Sequence, residues 1–253
     1  MFAKLKQKLR SSSRAEESDE YTPQDIMREL GKENALSQLS RYDTQFLIDD
    51  SRSMKRSRWT EAGNALAGLA ATALQYDDDG IEIFFLNAVN AGKTVKTEQD
   101  VQQLFASITH SAGTPTGRRL DELLTAYITR LETAKQKAGS VDFATTNIKP
   151  LNLIVITDGE PSDDPKGVIV AAARRLDAGR FPLTQVGVQF IQVGSDPRAS
   201  QALRDLDDHI SVHNNVRDIV DTRPFTGQPL TSELLITMLL GGINRRVDKL
   251  QDF

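Results

Sequence analysis

Three short stretches carry side chains that could do chemistry together. The first is Asp49-Asp50-Ser51-Arg52-Ser53, where an apolar run, Phe46-Leu47-Ile48, ends abruptly in a carboxylate and two hydroxyls follow at alternate positions. The second is Gly113-Thr114-Pro115-Thr116-Gly117, a stiff loop that holds a hydroxyl. The third is Thr157-Asp158-Gly159, which closes another apolar run, Leu151-Asn152-Leu153-Ile154-Val155-Ile156. Asp49, Ser51, Ser53, Thr114 and Asp158 are all hard oxygen donors. Such a set suits Mg²⁺, Mn²⁺ or Ca²⁺ and not a soft metal. Any one of these loops alone reads as a helix cap at the end of a strand. Three such loops in one chain point to a shared ligand.

The loops can meet only if the elements before them bring them to one edge. Near-continuous apolar runs predict strands buried on both faces at 44–49, 81–86, 151–157 and 186–193. Weaker runs at 93–96 and 210–212 predict short edge strands. Between them, apolar residues at helical spacing predict helices over 59–75, 98–108, 120–138, 168–176 and 199–206. A closing helix is expected over 230–250, after an irregular stretch at 214–229. This alternation predicts an α/β fold: a doubly wound, mostly parallel six-stranded sheet of the Rossmann type, flanked by helices. Ligands of such sheets bind at the carboxyl edge, where the strand order reverses. The strands ending in Asp49 and Asp158 are the candidates for that position, and their carboxylates could share one cation.

Composition bounds the rest. The chain has 253 residues, of which 39% are hydrophobic, enough for a substantial core. Its 31 basic and 35 acidic side chains nearly balance, at a net charge of −4, which argues against a nucleic-acid binder. With no cysteine, a disulfide scaffold, a thiolate metal site and a cysteine nucleophile are all excluded. That absence fits a cytoplasmic chain. No run of about 18 apolar residues predicts a transmembrane segment. The basic start, Met1 to Arg10, lacks the apolar stretch of a secretory signal, and Phe2 stands where myristoylation needs glycine. Residues 1–21 read as a flexible charged arm and 22–41 as a short helical lead-in that opens at Thr22-Pro23. The main domain is expected over 42–250. Nothing in the sequence specifies an oligomeric state.

The spacing Asp49-x-Ser51-x-Ser53, followed by Gly113-Thr114 and by Thr157-Asp158-Gly159, resembles the metal-ion-dependent adhesion site (MIDAS) of the von Willebrand factor A (vWA) domain. The Gly-Thr-Pro form of the second loop looks more like the intracellular and microbial members than like the integrin domains. The resemblance implies a divalent cation, Mg²⁺ first, with Mn²⁺ or Ca²⁺ as alternatives. Ser51 and Ser53 would bind it directly. Asp49 and Asp158 would sit close, one or both through water, and Thr114 would ligate when a partner is bound. An acidic residue, Glu or Asp, of a partner protein would complete the coordination. In the family, partner binding shifts the metal loops and can move the last helix. This chain departs from the extracellular pattern at Arg52, which replaces a glycine, and Lys55, Arg56 and Arg58 follow in the same loop. Such a basic collar would attract acidic partners and also repel the cation.

Other chemistries fit less well. A Mg²⁺-dependent phosphatase of the haloacid dehalogenase type also places an Asp after its first strand. It needs a second carboxylate two positions on as general acid, and Ser51 stands there. A phosphate loop at Ala91-Gly92-Lys93-Thr94 would need a glycine where Asn87 stands. Neither Ser51 nor Ser53 lies in a nucleophile elbow, and His110, His209 and His213 carry no local signature. A metal-independent scaffold using its helical faces is the remaining alternative. The sequence therefore favours a non-enzymatic protein-interaction module.

Overall fold

The axis of the sheet is β1, Asp43–Ile48, which pairs in parallel with β2, Ile81–Phe85, on one side and with β4, Leu151–Thr157, on the other. Beyond β2 lies β3, Lys93–Val95, an antiparallel edge strand. Beyond β4 lie β5, Val186–Gln192, and β6, Val220–Arg223, both parallel. The computed structural model describes residues 40–73, 80–141, 146–207 and 210–239. Within them the strand order is β3-β2-β1-β4-β5-β6, the doubly wound α/β sheet predicted from the sequence. The chain winds outward from β1 in one direction, crosses back, and winds outward in the other. The reversal falls between β1 and β4, whose following helices cover opposite faces of the sheet. Their register sets Ile48 opposite Ile156, so the residues that follow, Asp49 and Thr157-Asp158, emerge side by side.

Two apolar layers hold this sheet, one on each face. Phe46, Ile48, Ile83, Phe85, Ile154 and Ile156 face α1, Ser57–Ala73, and α2, Glu98–Ser107, together with the helical segment 232–239. Leu47, Leu153, Val155, Val188 and Phe190 face α3, Thr116–Ala138, α4, Pro165–Ala178, and α5, Pro197–Asp207. Successive strand residues thus serve opposite layers, as the pleat requires. All seven residues of β4 and of β5 are buried. Each large apolar side chain so enclosed contributes about 1.5–3 kcal/mol. This anchors the strand ends from which the three loops leave.

Two expectations are corrected. Residues 210–212 are not an edge strand but part of a short helix, α6, Ile210–Asn214, with Ile210 buried in the second layer. The Asn214 side chain donates to the Ile210 carbonyl at 3.0 Å, which closes that turn. The last strand is β6, inside the stretch expected to be irregular, where Val220 and Thr222 turn inward and Val220 aligns with Val188 of β5. The helices α3 and α4 also begin earlier than predicted. For α4 the reason is local: Pro165 opens the first turn and Asp164 caps it, accepting from the Gly167 N–H at 3.1 Å. The predicted arm at 1–21, the lead-in up to 39 and the closing helix beyond 239 lie outside the described residues. Among the described residues no helix is long and apolar enough to cross a membrane.

Candidate metal centre

The first loop leaves β1 and tightens at once into a 3₁₀ turn, Arg52–Met54. Met54 is the anchor: its side chain is fully buried in the first apolar layer, and its N–H donates to the Ser51 carbonyl at 3.2 Å. In an extended strand, side chains two residues apart stand about 7 Å from each other. The turn instead brings the Ser51 and Ser53 hydroxyl oxygens to 2.8 Å. Asp49 is locked behind them. Its Oδ1 accepts from the Ser51 N–H at 2.8 Å and its Oδ2 from the Thr157 hydroxyl at 2.7 Å. Asp158 closes the ring, because the Ser53 hydroxyl donates to its Oδ1 at 2.8 Å. Asp49, Ser51 and Asp158 are buried, whereas Ser53 is exposed, so the cluster opens to solvent on the Ser53 side.

The second loop is sewn to the third by hydrogen bonds from its own main chain. The Thr114 N–H donates to Ser162 Oγ at 3.1 Å, and the Thr114 carbonyl accepts from the Ser162 N–H at 2.9 Å. The Asp163 carboxylate accepts from the N–H groups of Gly117 and Arg118 at 2.7 and 2.8 Å. It thereby caps α3 from another loop, which is why that helix starts at Thr116. Gly117 permits the approach: a Cβ there would lie 2.7 Å from the main chain of Asp164. Asp163 and Asp164 thus act as helix caps. Thr114 faces the third loop, since a Cβ built on Gly159 would lie 3.9 Å from its hydroxyl.

Asp50 points the other way, as alternation along β1 requires. Its carboxylate is fully buried and accepts from the N–H groups of Asn87 and Ala88, at 2.8 and 2.9 Å, and from the Asn87 amide at 3.0 Å. Its carbonyl accepts from the Ser111 N–H at 3.1 Å, and His110 Nδ1 lies 3.3 Å away. The His110 ring packs edge-on against Trp59 at 4.5 Å, and Trp59 also stacks on Phe105. Asp50 therefore ties the loops after β2 and α2 to the one that carries the serines.

Electrostatics separate the basic residues. Burial pushes the Asp49 carboxyl above its usual range, opposed by the hydrogen bonds from Thr157 and Ser51, while the charge of Asp158 pushes it further up. Arg52, Lys55 and Arg56 are exposed, as a collar would be. Arg58 is not part of it: from the first turn of α1 its guanidinium turns inward and pairs with Asp158 Oδ2. Sequence reasoning assigned no such role to Arg58, nor the orienting role to Thr157. The available signal for Thr157 was the strand pairing, which sets it beside Asp49.

Of the five predicted residues, Ser51, Ser53 and Asp158 present oxygens at a spacing that a hard cation could use. Oxygens about 2.1 Å from Mg²⁺ are about 3 Å apart along the edges of an octahedron. The Ser51–Ser53 and Ser53–Asp158 oxygen pairs, each at 2.8 Å, have that spacing. Among the described residues no three His, Asp or Glu side chains form a metal cage, so the donors would be hydroxyls backed by two carboxylates.

The doubly wound, mostly parallel six-stranded sheet flanked by helices defines the fold class. The family model of the von Willebrand factor type A domain matches residues 43–218, well over half of the chain, and the protein belongs to that family. No curated protein matches the sequence. Among solved structures, the N-terminal domain of TFIIH p34 is similar at 13% identity and a TM-score of 0.40, over 81% of this chain and 99% of that one. The E. coli tRNA N6-threonylcarbamoyladenosine dehydratase TcdA, solved with AMP, is similar at 11% identity and a TM-score of 0.30, over 93% and 98%.

Proposed function

We propose that this vWA domain binds a divalent cation, Mg²⁺ first, and through it captures an acidic side chain of a partner protein. Ser51 and Ser53 would hold the ion, Asp49 and Asp158 would balance its charge, and Thr114 would border it. The carrying observation is the convergence of the Ser51, Ser53 and Asp158 oxygens, from loops more than a hundred residues apart, at 2.8 Å spacings. A bound cation would supply a positive charge that neutral hydroxyls leave only partly satisfied, so an incoming carboxylate is favoured. The exposed Arg52, Lys55 and Arg56 would draw an acidic surface towards it and speed encounter.

The docking role is favoured over hydrolysis by the state of Asp49. Both of its carboxylate oxygens are engaged and it has no exposed surface, which suits a charge-balancing group and not an attacking nucleophile. The test is capture of partners from native lysate in Mg²⁺, in EDTA, and by an Asp49→Ala variant in Mg²⁺. Partners retained only by the wild type in Mg²⁺ are expected. Equal retention in all three arms would overturn the reading in favour of a metal-independent scaffold. Release of phosphate from an aryl phosphate, lost in Asp49→Ala, would do so in favour of an enzyme.

A further inference from the structure

Arg58 stands where helix electrostatics would not put a cation. It is in the first turn of α1, at the positive end of the helix dipole, and no acidic residue of that turn compensates it. Its side chain is 35% exposed, yet the guanidinium reaches the side chain of Asp158, which is 0% exposed. The route is a built one. Gly194, at φ +76° just beyond β5, would place a Cβ 2.6 Å from Arg58 Nε, so any other residue there would crowd the arginine out. One guanidinium nitrogen also reaches towards the Ser53 carbonyl at 3.4 Å. Arg58 is thus held against two of the residues that would surround the cation.

We propose that Arg58 is a displaceable counter-ion: it neutralises Asp158 in the metal-free protein and must leave that carboxylate when the site is loaded, so it sets the metal affinity. This rests on the metal-binding reading of the site. Asp49 and Asp158 together carry two negative charges at most, which a divalent ion balances by itself. A guanidinium remaining on Asp158 would then be a like charge beside the ion. When the binding-competent form is only a fraction of the population, the apparent dissociation constant rises by the inverse of that fraction. A pair closed in, for example, about nine molecules of ten would lower the affinity about tenfold. The loop thereby holds a resting state in which the buried acid has a partner, and a threshold of free Mg²⁺ below which the adhesive state does not form.

The test is calorimetric titration of the full chain with MgCl₂ and with MnCl₂, on the wild type, Arg58→Gln and Arg58→Lys, alongside melts in EDTA and in Mg²⁺. The expected result is a crossed one. Arg58→Gln melts lower than wild type in EDTA, because Asp158 has lost its counter-ion, yet binds metal about tenfold more tightly. Arg58→Lys keeps the charge but loses the planar fork, and falls between the two. Unchanged or weaker metal binding in a folded Arg58→Gln would overturn the proposal and leave the site reading intact. Should Arg58→Gln fail to fold, Arg58→Lys decides in the same way: tighter binding supports the proposal and equal or weaker binding overturns it. Absence of binding in the wild type and both variants would overturn the metal-site reading itself, and this proposal with it.

Discussion

Asp49 and Asp50 are consecutive, both fully buried at the end of β1, and their surroundings differ in kind. Asp50 meets two main-chain N–H groups and an amide, donors fixed in place by the turn after β2. On the other side, Asp49 accepts one fixed main-chain N–H, from Ser51, but its second oxygen and its neighbour Asp158 meet hydroxyls, which can rotate and can accept as readily as donate, and Asp158 also meets an arginine. The first arrangement is a staple. The second can exchange its partners for a cation. A buried acid is therefore no signature of a metal site by itself; what distinguishes the two is whether its partners can rearrange.

The comparison breaks most sharply at Asp50. Asp50→Ala would leave the half-buried N–H groups of Asn87 and Ala88 without an acceptor and take one of two acceptors from the Asn87 amide, and is expected to cost about 2–5 kcal/mol, measured by urea unfolding. The loss should be the same in EDTA and in Mg²⁺. Next comes Asp49→Asn, which keeps the shape of the side chain and removes its charge. In EDTA it should be as stable as the wild type or more so. At metal concentrations near one hundred times the wild-type dissociation constant it should lack the roughly 2.7 kcal/mol that binding adds. A large loss in EDTA would show that Asp49 is a staple like Asp50.

The pH dependence sharpens the same contrast. Burial raises the Asp49 carboxyl above its ordinary 3.8, so its protonated form is favoured more in the folded metal-free chain than in the unfolded one. That contribution to stability is complete below 3.8 and is lost as pH rises through the raised value. In EDTA, melting temperatures should fall across this interval in the wild type relative to Asp49→Asn. In Mg²⁺ the fall should be suppressed, because the loaded site requires the ionised form. The gap between the two wild-type melting curves should therefore widen as pH rises; a constant gap would separate Asp49 from the metal.

Smaller effects follow further out. Trp59 lies against His110, whose ring nitrogen reaches the Asp50 carbonyl, so Mg²⁺ should change its emission by a modest amount. An unchanged spectrum would mean that loading does not move this part of the loop. At the opposite edge of the sheet, burial and the nearby Asp43 raise the Glu82 carboxyl, while Gln45 donates to it at 2.8 Å. Glu82→Gln should stabilise the chain slightly at neutral pH, equally with and without Mg²⁺. Dependence on metal there would show that the two edges are coupled.

Much of this architecture was legible from local pattern. Apolar runs of strand length and apolar residues at helical spacing reflect burial of one residue after another along the chain, and they predicted the sheet and the helices of the central domain. The same patterns predicted that Asp49 and Asp158 end strands, and the residue types named the donors. The run at 210–212 misled because two apolar residues two positions apart suit a short helix as well as an edge strand. The last strand, β6, was missed because four residues with two charges carry little local signal and are identified only by pairing with β5.

What the sequence by itself determined, then, is the order of elements and the inventory of oxygens at their ends, because both follow from interactions between near neighbours. The tertiary structure decided which of those oxygens meet. Ser53 and Asp158 are 105 residues apart, and Asp163 caps a helix 46 residues before it. It also decided that Arg58 turns inwards while Arg52, Lys55 and Arg56 stay in solvent. The physical reason is that a long charged side chain takes its direction from the opposite charge within reach, and only the folded sheet puts Asp158 there.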